Sequence, residues 1–579
     1  MHPPFPNRRM LSCLPMALGW LALAGCQPGT GPGLSSTGAL PAARPGALQA
    51  CETLAASLAL PQTRITASER VPAGGMKQGD RPLPEHCLVK GRMNERKGTD
   101  GRDYAIGFEM RLPVAWNGRF YYQGNGGLDG VVQPAFGALG GGPLTGALMQ
   151  GFAVISSDAG HTGPQTPFFG LEPQARRDYG YQAVAQLTPM AKDLIRSAYG
   201  RAPDRSYIGG CSNGGRHAMV AAARLGDQYD GYLVGAPGYR LPHAALAQLW
   251  GAQQWAPLAT PGAMTRHPMN PNASLADLGT AFTAQERQTV AQAILNRCDA
   301  LDGVRDGMVQ ATQACQAAFQ LDDVPTCTGA RNGSCLTPAQ KTAVAAVHAG
   351  GRTPSGQAIY SAFPWDPGLA GSNWAQWKFV NAIALDPLAV GTVFTAPAVG
   401  QVNPMTADVA ALLAQVAAAG GPDRESGLSL MTPPGHEHPV NLTPLRERGA
   451  KMVLYHGVSD AIFSAEDTRQ WMERLNRAQG GRADDMARYF MVPGMNHCSG
   501  GAATDQFDLL SALVGWVEQG AKPQAVRAQA RGAGNGGGAN AELPADWSAQ
   551  RSRLLCAYPT VARYKGTGPV EDAASFVCQ

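Results

Sequence analysis

Short apolar runs, each closed by glycine or a small polar residue, punctuate the chain and alternate with stretches of helical spacing. Residues 88–93, 104–112, 118–123, 151–157, 229–237, 450–455 and 488–492 alternate or run apolar between turn signals and predict strands. Helical spacing covers 179–198 and 216–225. Tyr207-Ile208-Gly209-Gly210-Cys211 is a further apolar run, and it leads straight into Ser212 and an alanine-rich helix. Strands alternating with helices predict an α/β fold on a mostly parallel sheet. From 241 to 448 the rhythm breaks into short helices, loops and two close cysteine pairs. That predicts a lid domain inserted between two parts of one core, 48–240 and 449–579, in keeping with a chain of 579 residues.

Gly210-Cys211-Ser212-Asn213-Gly214 puts a serine at a strand-to-helix turn. Such a turn is strained, and glycines two positions before and after the serine remove side chains that would collide. The helix that follows aims its N-terminus at the serine, where N–H groups and the helix dipole stabilise an oxyanion. As a bare five-residue pattern this is common, and an ordinary turn is the alternative. Asp460, closing His456-Gly457-Val458-Ser459-Asp460, and His497, in Asn496-His497-Cys498, each follow a predicted strand. Serine, acid, histidine is the chain order of the α/β-hydrolase triad. In that reading Ser212 attacks, His497 takes its proton, and Asp460 holds the imidazole in the right tautomer. The loop Gly124-Asn125-Gly126-Gly127-Leu128-Asp129-Gly130 lacks the lysine and spacing of a phosphate-binding loop. Its better use is a second oxyanion donor, Gly126 with Gly127 as rival, beside the N–H of Asn213; a plain glycine turn is the alternative.

Composition narrows the class. With 44% hydrophobic and 16% charged residues the chain is ordinary globular protein, and 72 glycines with 44 prolines imply many loops. Removing Arg8 and Arg9 with the leader takes the formal charge from +4 to +2, which gives no reason to expect nucleic acid. Residues 1–25 carry a basic start and an apolar stretch ending in Leu23-Ala24-Gly25-Cys26, the pattern of a bacterial lipoprotein signal with a lipidated cysteine, or else of a plain secretory signal. Gln27 after the cysteine suits an outer-membrane destination, and residues 26–47 read as a tether. No second apolar run is long enough to span a membrane. Twelve cysteines less Cys13 and Cys26 leave ten, so five disulfides suit an exported chain. Neighbours in sequence suggest Cys51–Cys87, Cys298–Cys315, Cys327–Cys335 and Cys556–Cys578, leaving Cys211 and Cys498 over. Either these pair, tying the Ser212 turn to the His497 loop, or each is a free buried thiol.

In the lid, Asp299, Asp302 and Asp306 stand at short spacing among glycines. Three carboxylates with the carbonyls of Val304 and Met308 suit a hard cation, calcium, in a structural role; an acidic surface turn is the alternative. Together, Gly-Cys-Ser-x-Gly-Gly at 210–215, Asp460 with His456 four before it, His497-Cys498, the aspartate loop and the cysteine set resemble the tannase and feruloyl esterase family. The resemblance implies an α/β-hydrolase core, a calcium-bearing lid, a disulfide linking Cys211 to Cys498, and hydrolysis of aromatic-acid esters. Members acting on terephthalate half-esters hold the free carboxylate with a lid arginine that follows a ring-stacking tryptophan. Here Trp374, Trp377 and Phe394 are candidates for an aromatic wall, with lid core as the alternative, and His456 for the pocket lining, with a loop hydrogen bond as the alternative, but no arginine occurs between Arg352 and Arg424. Lys378, the only cation in that interval, poorly replaces a bidentate arginine. The expectation is therefore a serine carboxylesterase for hydroxycinnamoyl, galloyl or related phenolic esters. The rival substrates are terephthalate half-esters or hydroxyalkanoate oligomers, and the rival class is a non-catalytic binding lipoprotein.

Overall fold

Nine strands, six of them parallel, form the central sheet of the computed structural model, which describes residues 39–137, 141–142, 146–268, 270–420 and 424–579. In chain order they are β1 (Thr63–Val71), β2 (His86–Lys97), β3 (Asp103–Pro113), β4 (Arg119–Gly124), β5 (Ala153–Ser157), β6 (Arg205–Cys211), β7 (Gly231–Gly235), β8 (Lys451–Gly457) and β9 (Ala487–Val492). Their spatial order is β9-β8-β7-β6-β4-β5-β3-β2-β1. β5, β4, β6, β7, β8 and β9 run parallel, whereas β3, β2 and β1 extend the sheet as antiparallel neighbours. The parallel strands are buried on both faces and therefore read as continuous apolar runs. β1 has no apolar run in the sequence, because its residues are only half-buried or exposed.

Helices α1 (Ala183–Tyr199) and α2 (Asn213–Arg224) flank β6, and α3 (Leu241–Trp255) opens the insertion between β7 and β8. Within the insertion α4 (Ala284–Cys298) and α5 (Pro338–His348) pack around Trp255, Phe282, Ile294 and Trp374, an apolar centre of its own. The boundary is not clean: Val390, Phe394, Leu412 and Leu430 belong to the same core as α1 and α2. After β8 come α6 (Ala465–Ala478) and α7 (Leu509–Gln519), then two small hairpins that reach the insertion, where Arg563 donates to the carbonyl of Leu301 at 3.1 Å.

All five cysteine pairs form, Cys211–Cys498 included. The tether expectation is corrected for residues 39–47. Leu40 donates its N–H to Val517 O at 2.8 Å, and Gly46–Ala47 pairs antiparallel with Ala115–Trp116. The leader, Cys26 and the tether up to residue 38 lie outside the described residues. Among the described residues no helix is long and apolar enough to cross a membrane.

Candidate active site

β4, β6, β8 and β9 all deliver their loops to one carboxyl edge of the sheet, where parallel α/β sheets carry function. At the end of β6, Ser212 adopts φ 65° and ψ −126°, a backbone state that non-glycine residues occupy at a cost of about 1–3 kcal/mol. Close approach explains the flanking glycines. A methyl on Gly210 would sit 2.3 Å from Gly124 O, and one on Gly214 only 2.2 Å from the same oxygen. The turn is pinned from the other side by Ser212 N–H donating to Gly235 O at 3.0 Å.

Ser212 Oγ lies 2.8 Å from His497 Nε2, and His497 Nδ1 lies 2.7 Å from Asp460 Oδ2. With Nδ1–H donated to the carboxylate, Nε2 is left to accept the serine proton. Asp460 Oδ1 accepts from the N–H groups of Ile462 at 2.9 Å and Phe463 at 3.0 Å. Burial opposes its ionisation, but the charge and hydrogen bonds of His497 and His456 prevail and hold Asp460 well below the usual carboxylate range. It thus stays an anion beside the imidazole. Phe463 and Trp377 meet the His497 ring edge-on at 5.3 and 5.4 Å, which limits its rotation.

Of the two glycines offered as a second oxyanion donor, Gly126 faces the serine: a methyl on it would stand 3.9 Å from Ser212 Cβ. Gly127, at φ +64°, has nothing within 4 Å of that position. Both glycines are exposed, and Asn213 is the first residue of α2. The Cys211–Cys498 disulfide bridges the residues next to Ser212 and His497.

Three of the four candidate pocket residues take the packing alternative instead. His456 is fully buried at the end of β8, with Nδ1 2.9 Å from Thr468 Oγ1 and Nε2 3.0 Å from Phe463 O and 3.3 Å from Asp460 Oδ2, so it braces the acid instead of lining a pocket. Trp374 is buried in the lid core against Phe282 and Phe379. Phe394 is 1% exposed and packed in the main core. Only Trp377 reaches the site. The wide helical turn Gln376–Asn381 rotates the side chains that follow Trp374, which residue types alone do not signal.

Sequence reasoning also missed the lid's hold on both loops. Buried Asp366 accepts from Ser459 Oγ at 2.5 Å and from Gly494 N–H at 3.2 Å, one residue from Asp460 and three from His497. Asn373 Oδ1 accepts the His497 N–H at 3.3 Å. No local pattern marks either residue.

In the aspartate loop, Asp299 accepts from the N–H groups of Asp306 and Gly307, Asp302 from those of Val304 and Gln310, and Asp306 from that of Met308. Among the described residues no three acidic, histidine or cysteine side chains converge as a ready metal-binding group. The donor chemistry nevertheless fits a hard cation. Burial, with the neighbouring negative charges, raises Asp299 and pushes Asp302 up to about 7, so the cluster is short of positive charge although Arg553 pairs with Asp306.

A serine on a strained strand-to-helix turn, hydrogen-bonded to a histidine and through it to a buried aspartate, is the arrangement of the serine hydrolases of the α/β-hydrolase fold. The sequence profile described as "Tannase and feruloyl esterase" matches residues 87–579. The chain belongs to that family of carboxylic ester hydrolases. It is 38% identical over 537 residues to the mono(2-hydroxyethyl) terephthalate hydrolase of Piscinibacter sakaiensis, covering 86% of this chain and 85% of that one. Feruloyl esterase C of Talaromyces stipitatus is 26% identical over 566 residues, covering 91% and 94%. Among solved structures, feruloyl esterase B from Aspergillus oryzae shares the fold with a TM-score of 0.71 at 24% identity, covering 91% of this chain and 99% of that one.

Proposed function

We propose that the protein is an exported serine carboxylesterase for esters of hydroxycinnamic, gallic or related phenolic acids. The observation that carries the reading is the relay Ser212–His497–Asp460, at 2.8 and 2.7 Å, on a strained elbow. Ser212 Oγ bonds to the ester carbonyl carbon as its proton passes to His497 Nε2, and the negative oxygen is held by the N–H groups of Asn213 and Gly126. The carbon–oxygen bond to the alcohol then breaks, His497 returns the proton to that alcohol, and an acyl-enzyme remains. Water, deprotonated by the same imidazole, releases the acid. The Cys26 lipid anchor belongs to the same proposal, and export is supported by the five disulfides, which need an oxidising compartment.

Substrate choice follows from the charges near the site. Trp377 is the aromatic side chain of the lid that borders His497. Lys378 beside it is buried, with Nζ 3.5 Å from the centre of the Phe363 ring, and burial lowers its pKa to about 7 against the pull of Asp460 and Asp386. A half-neutral lysine under an aromatic ring is a weak receptor for a free carboxylate. Methyl ferulate or methyl gallate is therefore expected to exceed mono(2-hydroxyethyl) terephthalate in kcat/KM by at least about tenfold, the scale of one lost charged contact. Side-by-side initial rates check this. The reverse order would favour the second reading, a hydrolase of terephthalate half-esters or of hydroxyalkanoate oligomers, which the 38% identical relative supports.

We also propose that Asp299, Asp302 and Asp306, with the carbonyls of Val304 and Met308, hold a calcium ion that stabilises the fold without entering the chemistry. Support comes from the buried, like-charged donor set; Arg553 pairs with the Asp306 carboxylate and Arg551 donates to the Asp306 carbonyl, contacts that tie the loop to the C-terminal segment. The loop is thus a junction between insertion and C-terminal segment. Adding EGTA should lower the melting temperature by several degrees, as expected for withdrawal of an ion present at about 100 times its Kd, while turnover at low temperature stays within about twofold. Calorimetry with calcium add-back is the check. An unchanged transition would remove the ion from the account.

A further inference from the structure

Behind the elbow, side chains from three segments close a circuit that the hydrolytic steps do not use. Asn213 Nδ2 donates to Asp129 Oδ1, and Asn213 Oδ1 accepts from Arg216 Nε at 2.6 Å. Arg216 goes on to donate to Gly180 O at 2.8 Å and Tyr179 O at 2.9 Å, and its guanidinium lies 4.9 Å from the centre of the Tyr179 ring. Tyr179 Oη donates to Gly127 O at 3.3 Å, two residues before Asp129, so the circuit closes through the backbone. His217 Nε2 stands 3.2 Å from Asn213 Nδ2 and 3.5 Å from Asp129 Oδ2. All five side chains are buried, Arg216 and Tyr179 completely.

The two ends of this circuit are the two sides of the oxyanion site. Asn213 follows Ser212 directly, and Asp129, at φ +48°, lies three residues past Gly126. A carboxylate at one end and a guanidinium at the other set the orientation of the Asn213 amide, which must donate to the first and accept from the second. The Arg216 contact is charge-assisted and so about twice as strong as a neutral hydrogen bond, whereas burial raises the Asp129 carboxyl well above the usual carboxylate range, and Asp129 orients the amide as the acceptor from Asn213 Nδ2. No other side chain of this length does both jobs. A carboxylate at 213 has no N–H to offer Asp129, and an aliphatic group would leave Asp129 and Arg216 without the bridge.

We propose that Asp129 and Asn213 are positioning residues that clamp the N–H groups of Gly126 and Asn213 at one separation, with Arg216 locking the amide between them. The clamp rests on the reading of Ser212 as nucleophile. It predicts that Asn213→Ala and Asn213→Asp each lower kcat by roughly 10- to 100-fold with KM within about twofold, because the interaction lost is felt in the transition state. Asp129→Asn combined with Asn213→Asp restores a donor–acceptor pair of opposite polarity and should return kcat to within about fivefold of the parent.

The experiment measures kcat, KM and the inhibition constant of an arylboronic acid, whose tetrahedral adduct needs the oxyanion site, for parent, singles and the swapped pair, with Ser212→Ala alongside. Support is a boronate affinity that falls in step with kcat in the singles and recovers in the swap, while affinity for the amide analogue of the substrate stays level. A folded Asn213→Ala with parental kcat, or a swap no better than Asn213→Asp, overturns the clamp. If Asn213→Ala does not fold, the comparison of Asn213→Asp with the swap decides. Turnover retained by Ser212→Ala would instead overturn the underlying reading, so the two failures are distinct.

Discussion

Ser212→Ala is expected to lower kcat on methyl ferulate by at least about 10⁴-fold and to abolish labelling by a fluorophosphonate probe, leaving the fold intact. The size follows from what remains. Without Oγ no acyl-enzyme can form, and only the oxyanion donors and binding contacts would still assist direct attack by water. Three features make Ser212 the reacting oxygen: its strained backbone, its 2.8 Å contact with His497, and an aspartate kept ionised behind the ring. The cost to stability should be small, since alanine keeps the N–H that donates to Gly235 O and loses one hydroxyl contact. A parental rate for the variant would take the role of nucleophile from Ser212, whereas a parent inert to both ester and probe would make the protein the non-catalytic binding lipoprotein.

Replacing Cys211 and Cys498 together by alanine is expected to cost about 5 kcal/mol of stability, because their bond spans 287 positions and removes that much freedom from the unfolded chain. The same exchange at Cys327–Cys335, eight positions apart, should cost only about 2–3 kcal/mol. Total stability of a globular protein is about 5–15 kcal/mol, so the first loss is the more serious. It also acts on chemistry: with the tie gone, Ser212 and His497 are held only by their separate loops, and misplacement by about 1 Å costs roughly 100-fold in rate. Denaturant midpoints and single-turnover rates for the two double variants separate the effects. Equal midpoints would show that the long loop is already ordered when the chain is unfolded. An unchanged rate in the Cys211/Cys498 variant would mean that the lid contacts of Asp366 and Asn373 suffice to hold the histidine loop.

Much of this was legible in residues alone, for a physical reason. Parallel strands buried on both faces must be apolar throughout, so β6, β7, β8 and β9 stand out as runs. Reactive groups of such a sheet lie just past the carboxyl ends of strands, and Ser212, Asp460 and His497 each stand within a few residues of such a run. Cysteine pairing was also readable for four of the five pairs, whose members are near in sequence among the ten cysteines that follow Cys26. Failures cluster where packing decides direction. Trp374, Trp377 and Phe394 are equal candidates by type, but a wide helical turn sends Trp377 to His497 while lid and core packing bury the other two. His456 looked like a pocket residue because it sits four before Asp460, yet the end of β8 buries it against Thr468.

By itself the sequence pointed to the elbow at Ser212 and to the acid and histidine that accompany it, and left Cys211 and Cys498 as either a pair or two free thiols. Those facts depend on local steric demands, strand periodicity and chain order. Tertiary structure alone decided how the site is held: Asp366 reaching from the lid to both loops, His456 bracing the acid, and Asn213 bridged between Asp129 and Arg216. Each of these joins residues far apart in the chain through one or two hydrogen bonds, and a polar contact of that kind leaves no periodic trace in either partner's neighbourhood.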